Sequence, residues 1–231
     1  MTLIVLGLLL WWGAHLWKRL APGSRAAIGE PGKGLVAVLV VAGVVLMVVG
    51  YGGSDWLGIE GAAFVELWSP PRFLVGVNNL LMLIAVYLYA ASGMKTRITR
   101  SIRHPQLTAV KTWAVAHLLV NGDLASVILF GGLLAWAVVE VILINRSEPR
   151  GPLPEPAPVG KEIGAVVGAV AVLVAIMLVH NWLGVQPWGC GRSGGFTPPH
   201  PRGIFGEEKD NFGRIVGDLG KDEALPFLER G

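Results

Sequence analysis

Three histidines, His15, His117 and His180, stand inside or at the ends of long apolar runs. A neutral imidazole in such surroundings keeps a nitrogen lone pair for a metal, and an axial bond to haem iron is one use of it. The plainer use is a hydrogen bond to a neighbouring helix, worth about 1 kcal/mol in lipid. His180, beside Asn181 near the end of its run, suits the plainer use. His117 has the stronger claim to chemistry. It follows Trp113 by four residues, so the two share a helix face, and Leu and Val surround it.

A second group, Arg103-His104-Pro105-Gln106, opens the same stretch, with Arg97, Arg100 and Lys111 around it. Arg103 offers a planar fork of donors to a propionate, phosphate or carboxylate. The same cluster also suits a topological role, meeting anionic lipid headgroups at one membrane face. Further on, Asn121-Gly122-Asp123 reads as a tight turn, since Asn and Gly tolerate left-handed backbone and Asp caps the helix that follows. Glu140, among valines, should lie near the basic interface or pair with a cation such as Lys111 or Arg103.

The elements that position these groups follow from composition. Of 231 residues, 53% are hydrophobic and 15% charged, and the mean hydropathy is +0.58. Soluble domains carry about 25% charged residues, so this chain belongs in a lipid bilayer. A net charge of +3 is too small a balance to point to nucleic acid. The one cysteine, Cys190, leaves no intrachain disulfide and no paired-cysteine metal site. Met1 to Trp17 is apolar from the start, with Lys18 and Arg19 behind it. That order is the reverse of a signal peptide, and a retained first span is expected.

Windows of about 20 apolar residues, the length that crosses a bilayer, predict an all-α polytopic bundle with six transmembrane spans. They are Thr2–Trp17, Leu35–Tyr51, Phe73–Gly93, Pro105–Val120, Leu124–Asn145 and Ile163–Val185. The fourth, interrupted by Lys111 and His117, is the weakest of them. Cations collect in alternate loops: Lys18, Arg19, Arg25 and Lys33, then Lys95, Arg97, Arg100 and Arg103, then Arg146, Arg150 and Lys161. The intervening loops hold Asp55, Glu60, Glu66 and Asp123, with Arg72 as their cation. By the positive-inside rule this predicts a multi-pass protein of a bacterial inner membrane with both termini periplasmic. Trp56 and Trp68 are placed to form an aromatic belt, and Pro149 to Pro158 to form an extended linker. The chain thus divides into a membrane domain over 1–188 and a Gly-, Pro- and charge-rich tail over 189–231, expected to be mostly disordered.

Depth limits which histidines can share a ligand. His117 lies twelve residues beyond Pro105, about 18 Å deeper by helical rise. His180 is near the outer end of the sixth span, while His15 and His104 are near the basic end. Depth therefore pairs His117 with His180, and His15 with His104. A tilted or half-buried fourth helix would bring His117 closer to His15 instead.

Arg103-His104-Pro105-Gln106, Trp113, His117-Leu118, Asn121-Gly122-Asp123, Phe130 and Trp136 together resemble the NnrU family of integral membrane proteins. The resemblance covers residues 1 to about 188, with His15 near the end of the first span and His180 closing it. It implies a six-span protein associated with nitric oxide and nitrite metabolism in denitrifying bacteria. The domain is shared with the 15-cis-zeta-carotene isomerases, and that branch implies a haem b held by histidines for cis-to-trans isomerisation. By position, His117 and His15 become the ligand candidates, against the depth reading, and the second ligand stays open. Arg103-His104-Pro105 at a helix mouth is similar also to isoprenylcysteine methyltransferase-like enzymes that use S-adenosylmethionine. Those enzymes carry paired glutamates some thirty residues on, where this chain has Glu140 alone. A third reading is a non-enzymatic assembly partner of a respiratory complex.

Overall fold

A computed structural model of the chain describes residues 1–54, 57–153, 155–183 and 187. The tail over 189–231, expected to be disordered, lies outside the described residues, as do Trp56 and Cys190.

The described chain is all-helical. Long apolar helices are α1 (Thr2–Leu20), α3 (Pro31–Gly52), α4 (Leu74–Met94), α7 (Leu124–Ser147) and α8 (Val159–Trp182). A shorter α6 covers Pro105–Val120, and two brief helices, α2 (Pro22–Ile28) and α5 (Ile98–Ser101), lie in the connections. Prolines stand in the first turns of α2, α3 and α6, where a missing N–H costs nothing and the fixed φ favours the helix. The end of α4 shows a less usual device. Lys95 takes a left-handed conformation, φ 55° and ψ 49°, while the Thr96 N–H reaches back to the Ala91 carbonyl, which closes the helix as glycine ordinarily does.

Among the described residues five helices have the length and apolarity to cross a bilayer, one fewer than the six spans expected. The exception is α6. Its 16 residues reach about 24 Å, short of a hydrocarbon core of about 30 Å. It nevertheless runs from one end of the bundle to the other. At its start, Arg103 donates to the Glu148 carbonyl at the end of α7, at 2.6 Å, and Arg19 at the end of α1 pairs with the Glu148 side chain. Beyond its far end, the Gly122 carbonyl accepts from the Leu67 and Trp68 N–H groups of the α3–α4 connection, at 2.7 and 3.0 Å, and Leu124 donates to Val65. The basic connections thus gather at one end and the α6–α7 turn closes the other.

The core sits where α1, α3 and α7 meet: Ile4, Leu8, Met47, Ala125 and Leu133 are buried together. Helices α1 and α3 approach so closely that a Cβ on Gly7 would fall 2.6 Å from the Gly43 carbonyl oxygen, the small-residue contact that lipid-embedded helices use in place of hydrophobic driving force. Next to them α4 packs on α6, and α6 on α7, while α8 leans on α4. Of α8 only Ala165 and Ala169 are buried. Its valines, including Val166, Val167, Val170 and Val174, are exposed. An apolar outer face of this kind is stable in lipid, not in water.

The turn at Asn121-Gly122-Asp123 forms as expected, but Gly122 is required for a different reason. Neither Asn121 nor Gly122 takes a left-handed conformation. A Cβ on Gly122 would instead meet the Trp68 carbonyl oxygen at 1.7 Å, so only glycine lets the two connections pair. Asp123 caps α7 by accepting the Ser126 N–H at 2.8 Å.

Candidate functional site

Each of the three span histidines turns Nδ1 to the carbonyl four residues back on its own helix: His15 to Trp11 at 2.9 Å, His117 to Trp113 at 3.0 Å, His180 to Ile176 at 2.9 Å. A carbonyl can only accept, so Nδ1 carries the proton of the neutral ring and Nε2 keeps the lone pair. This is the arrangement in which a metal-ligating imidazole is held and oriented by its second nitrogen.

The histidines fall into two groups. His117 and His180, from α6 and α8, line one cavity of about 50 Å³ with Asn78, Asn79 and Met82 of α4 and Pro187. The Asn78 amide donates to Asn79 Oδ1 at 3.0 Å, and the Asn79 amide to the Pro187 carbonyl at 3.1 Å. Among the described residues that leaves Asn78 Oδ1 buried without a partner. His117, His180 and Asn78 each carry an acceptor atom beside this cavity's lining, a set that suits a donor or a cation. Phe130 of α7 stacks on the His117 ring at 4.5 Å and Trp113 lies tilted at 5.0 Å, which fixes the imidazole plane.

His15 belongs elsewhere. Trp11, His15 and Arg19 are spaced by four along α1 and face Trp136 and Glu140 of α7. The His15 ring lies 4.3 Å from Trp11 and 4.7 Å from Trp136. Arg19 Nε is 3.7 Å from Glu140 Oε1. The partner of Glu140 is therefore Arg19, neither Lys111 nor Arg103 as the sequence suggested. Glu140, 8% exposed, is thus committed to an ion pair, in the stretch where the methyltransferase pattern asks for two glutamates.

Arg103 and His104 line a third place, a cavity of about 420 Å³ at the basic end, together with Arg19, Arg150 and Glu148. His104 Nε2 meets Asn145 Oδ1 at 2.9 Å, so the pairing of His104 with His15 suggested by depth is not made. Arg19 holds the exposed Glu148 carboxyl below the usual carboxylate range, by hydrogen bond first and by charge second.

Haem b can be tested against these groups. The donor chemistry fits at His117 and His180: two Nε2 lone pairs and the orphaned Asn78 Oδ1 share an apolar interior. The space is that of the closed bundle, about 50 Å³, where sites for molecules of drug size or more take roughly 300–1,000 Å³. A macrocycle requires α8 to stand off from α6, and α8 has one main neighbour, α4. Among the described residues no three His, Cys, Asp or Glu side chains gather as a metal site.

Sequence reasoning missed Asn78-Asn79, although two adjacent amides in an apolar span were a visible signal. It missed Arg19 and Arg150 at the basic end because no local pattern brings α1 and the α7–α8 linker beside Arg103. No curated protein and no solved structure matches the chain. The family model described as NnrU protein matches residues 3–187, and with four-fifths of its length so covered, the chain belongs to the NnrU family.

Proposed function

We propose that this NnrU-family membrane protein binds haem b between His117 and His180, with α8 displaced outward to admit the macrocycle. The observation that carries the reading is the shared cavity, where both imidazoles have Nδ1 tied back and, among the described residues, no hydrogen bond at Nε2. When bound, haem b supplies an iron whose ligand exchange and redox change suit nitrogen-oxide metabolism or the cis-to-trans isomerisation of a polyene. The chain's own contribution is to orient His117 by Phe130 and Trp113, to exclude water with apolar walls, and to open toward lipid along α8. His15, packed between Trp11 and Trp136, supports the α1–α7 contact in this account rather than the iron.

Counting α6 as a short crossing keeps the basic connections on one side, which supports the reading that both termini face the periplasm of a bacterial inner membrane. Protein purified in mild detergent from haem-replete cells should show a Soret band that shifts with nitric oxide. A preparation with intact helicity and no Soret band sinks the haem reading. Copurification with a respiratory complex, unaffected by loss of His117 and His180, would leave the assembly-partner reading in its place.

A further inference from the structure

The cavity at the basic end has walls from four parts of the chain: Arg19 of α1, Thr99 of α5, Arg103 and His104 at the mouth of α6, and Glu148 to Leu153 of the linker. Three guanidinium groups face a single carboxylate there. Arg19 is already shared between Glu148 and Glu140. Arg103 donates only to the Glu148 carbonyl at 2.6 Å, and Arg150 only to the Arg100 carbonyl at 2.7 Å. Among the described residues neither has a carboxylate within 4.0 Å. Two charged forks thus line one space, each with donors to spare and, apart from the Glu148 carboxylate that Arg19 already holds, no countercharge there among the described residues.

A purely topological role explains cations at this membrane face but not their gathering along one open cleft. Surface cations kept for orientation do best fully hydrated and far apart, since like charges repel. Here the linker brings Arg150 back beside Arg103, at the cost of that repulsion. A dianion with several oxygens removes the repulsion and fills both forks, and phosphate geometry matches guanidinium geometry bidentately. A volume of about 420 Å³ also exceeds what a bare phosphate fills, leaving room for the group it is attached to.

We propose that this cavity binds a phosphate-bearing anion, clamped by Arg103 and Arg150, independently of whether haem is bound. The shared chemistry has two sources, a soluble phosphate compound or a phospholipid headgroup, and two arms of one experiment separate them. Protein in phosphatidylcholine nanodiscs is titrated with inorganic pyrophosphate by calorimetry. Its thermal midpoint is then compared in phosphatidylcholine and phosphatidylglycerol discs. In the soluble case pyrophosphate binds saturably, and Arg103→Gln or Arg150→Gln weakens it by about tenfold or more, the value of a charge-assisted hydrogen bond. In the lipid case phosphatidylglycerol raises the wild-type midpoint and not that of either variant. Arg72→Gln, at the other end of the bundle, should change neither arm. Arg150 lies outside every helix, so its substitution tests the clamp without touching a span. If neither probe gives an effect that depends on Arg103 and Arg150, the proposal is overturned and the cluster is topological.

Discussion

Asp123 makes the sharpest stability prediction. It is 7% exposed, and its carboxylate accepts twice from Ser126, from the N–H at 2.8 Å and from Oγ at 2.7 Å. Ser126 is fully buried and its Oγ is 2.8 Å from the Tyr51 hydroxyl. The serine proton goes to Asp123, so Tyr51 must be the donor in that last bond. Asp123→Ala removes the cap of α7, the bond from the Ser126 N–H, worth about 1 kcal/mol. It also takes away the acceptor of the buried Ser126 O–H, at about 1 kcal/mol. The total expected loss is about 2 kcal/mol. Asp123→Asn keeps the shape and one acceptor, and Ser126 can turn its proton toward Tyr51, so the loss should be about 1 kcal/mol. Tyr51→Phe combined with Asp123→Ala should cost less than the two singly, because both act through Ser126. Helicity followed during dodecyl sulfate unfolding in mixed micelles gives all four values. Equal losses for the Ala and Asn variants, or strict additivity with Tyr51→Phe, would refute the network. The consequence reaches the site, since this cap sets the start of α7 and with it the position of Phe130 on His117.

Two further outcomes follow from the ends of the bundle. Gly122→Ala should cost more than about 2 kcal/mol by the same unfolding assay, because the added methyl meets the Trp68 carbonyl, which is backbone in a segment whose Leu67 and Trp68 N–H groups both donate to the Gly122 carbonyl; a neutral result would mean that the two connections do not meet. At the basic end, the carboxyl of Glu148 is held low by Arg19, so the pair stabilises the fold above the ordinary carboxylate range, and its contribution is lost as pH falls through the lowered value. Wild type should therefore exceed Glu148→Gln in thermal midpoint by a small margin at neutral pH, and the margin should close in acid. A margin that is flat with pH would contradict the pairing.

The long helices were legible because lipid demands it. Every backbone polar group in a span must bond within its own helix, so length and apolarity suffice to predict them. Local chemistry was legible as well, as in the Asp123 cap and the start of α6 at Pro105. The short connecting helices α2 and α5 were not, having too few residues for a periodic signal. Nor was the ion pair of Glu140, since Arg19 comes from a helix far away in the chain and Lys111 and Arg103 were nearer in sequence. Depth along the helices put His117 at the level of His180, and both line one cavity; the family resemblance instead suggested His15, which occupies a different interface. The orphaned Asn78 Oδ1 could not be seen from sequence, because being unpartnered is a property of the assembled interior.

The central claim is the choice of histidines, and one set of spectra decides it. Wild type, His117→Ala, His180→Ala and His15→Ala are purified in the same detergent from haem-replete cells, and their Soret bands are compared at equal helicity. The account predicts that the band is lost or strongly diminished in His117→Ala and His180→Ala and retained in His15→Ala. A band that survives in His180→Ala and vanishes in His15→Ala would contradict it.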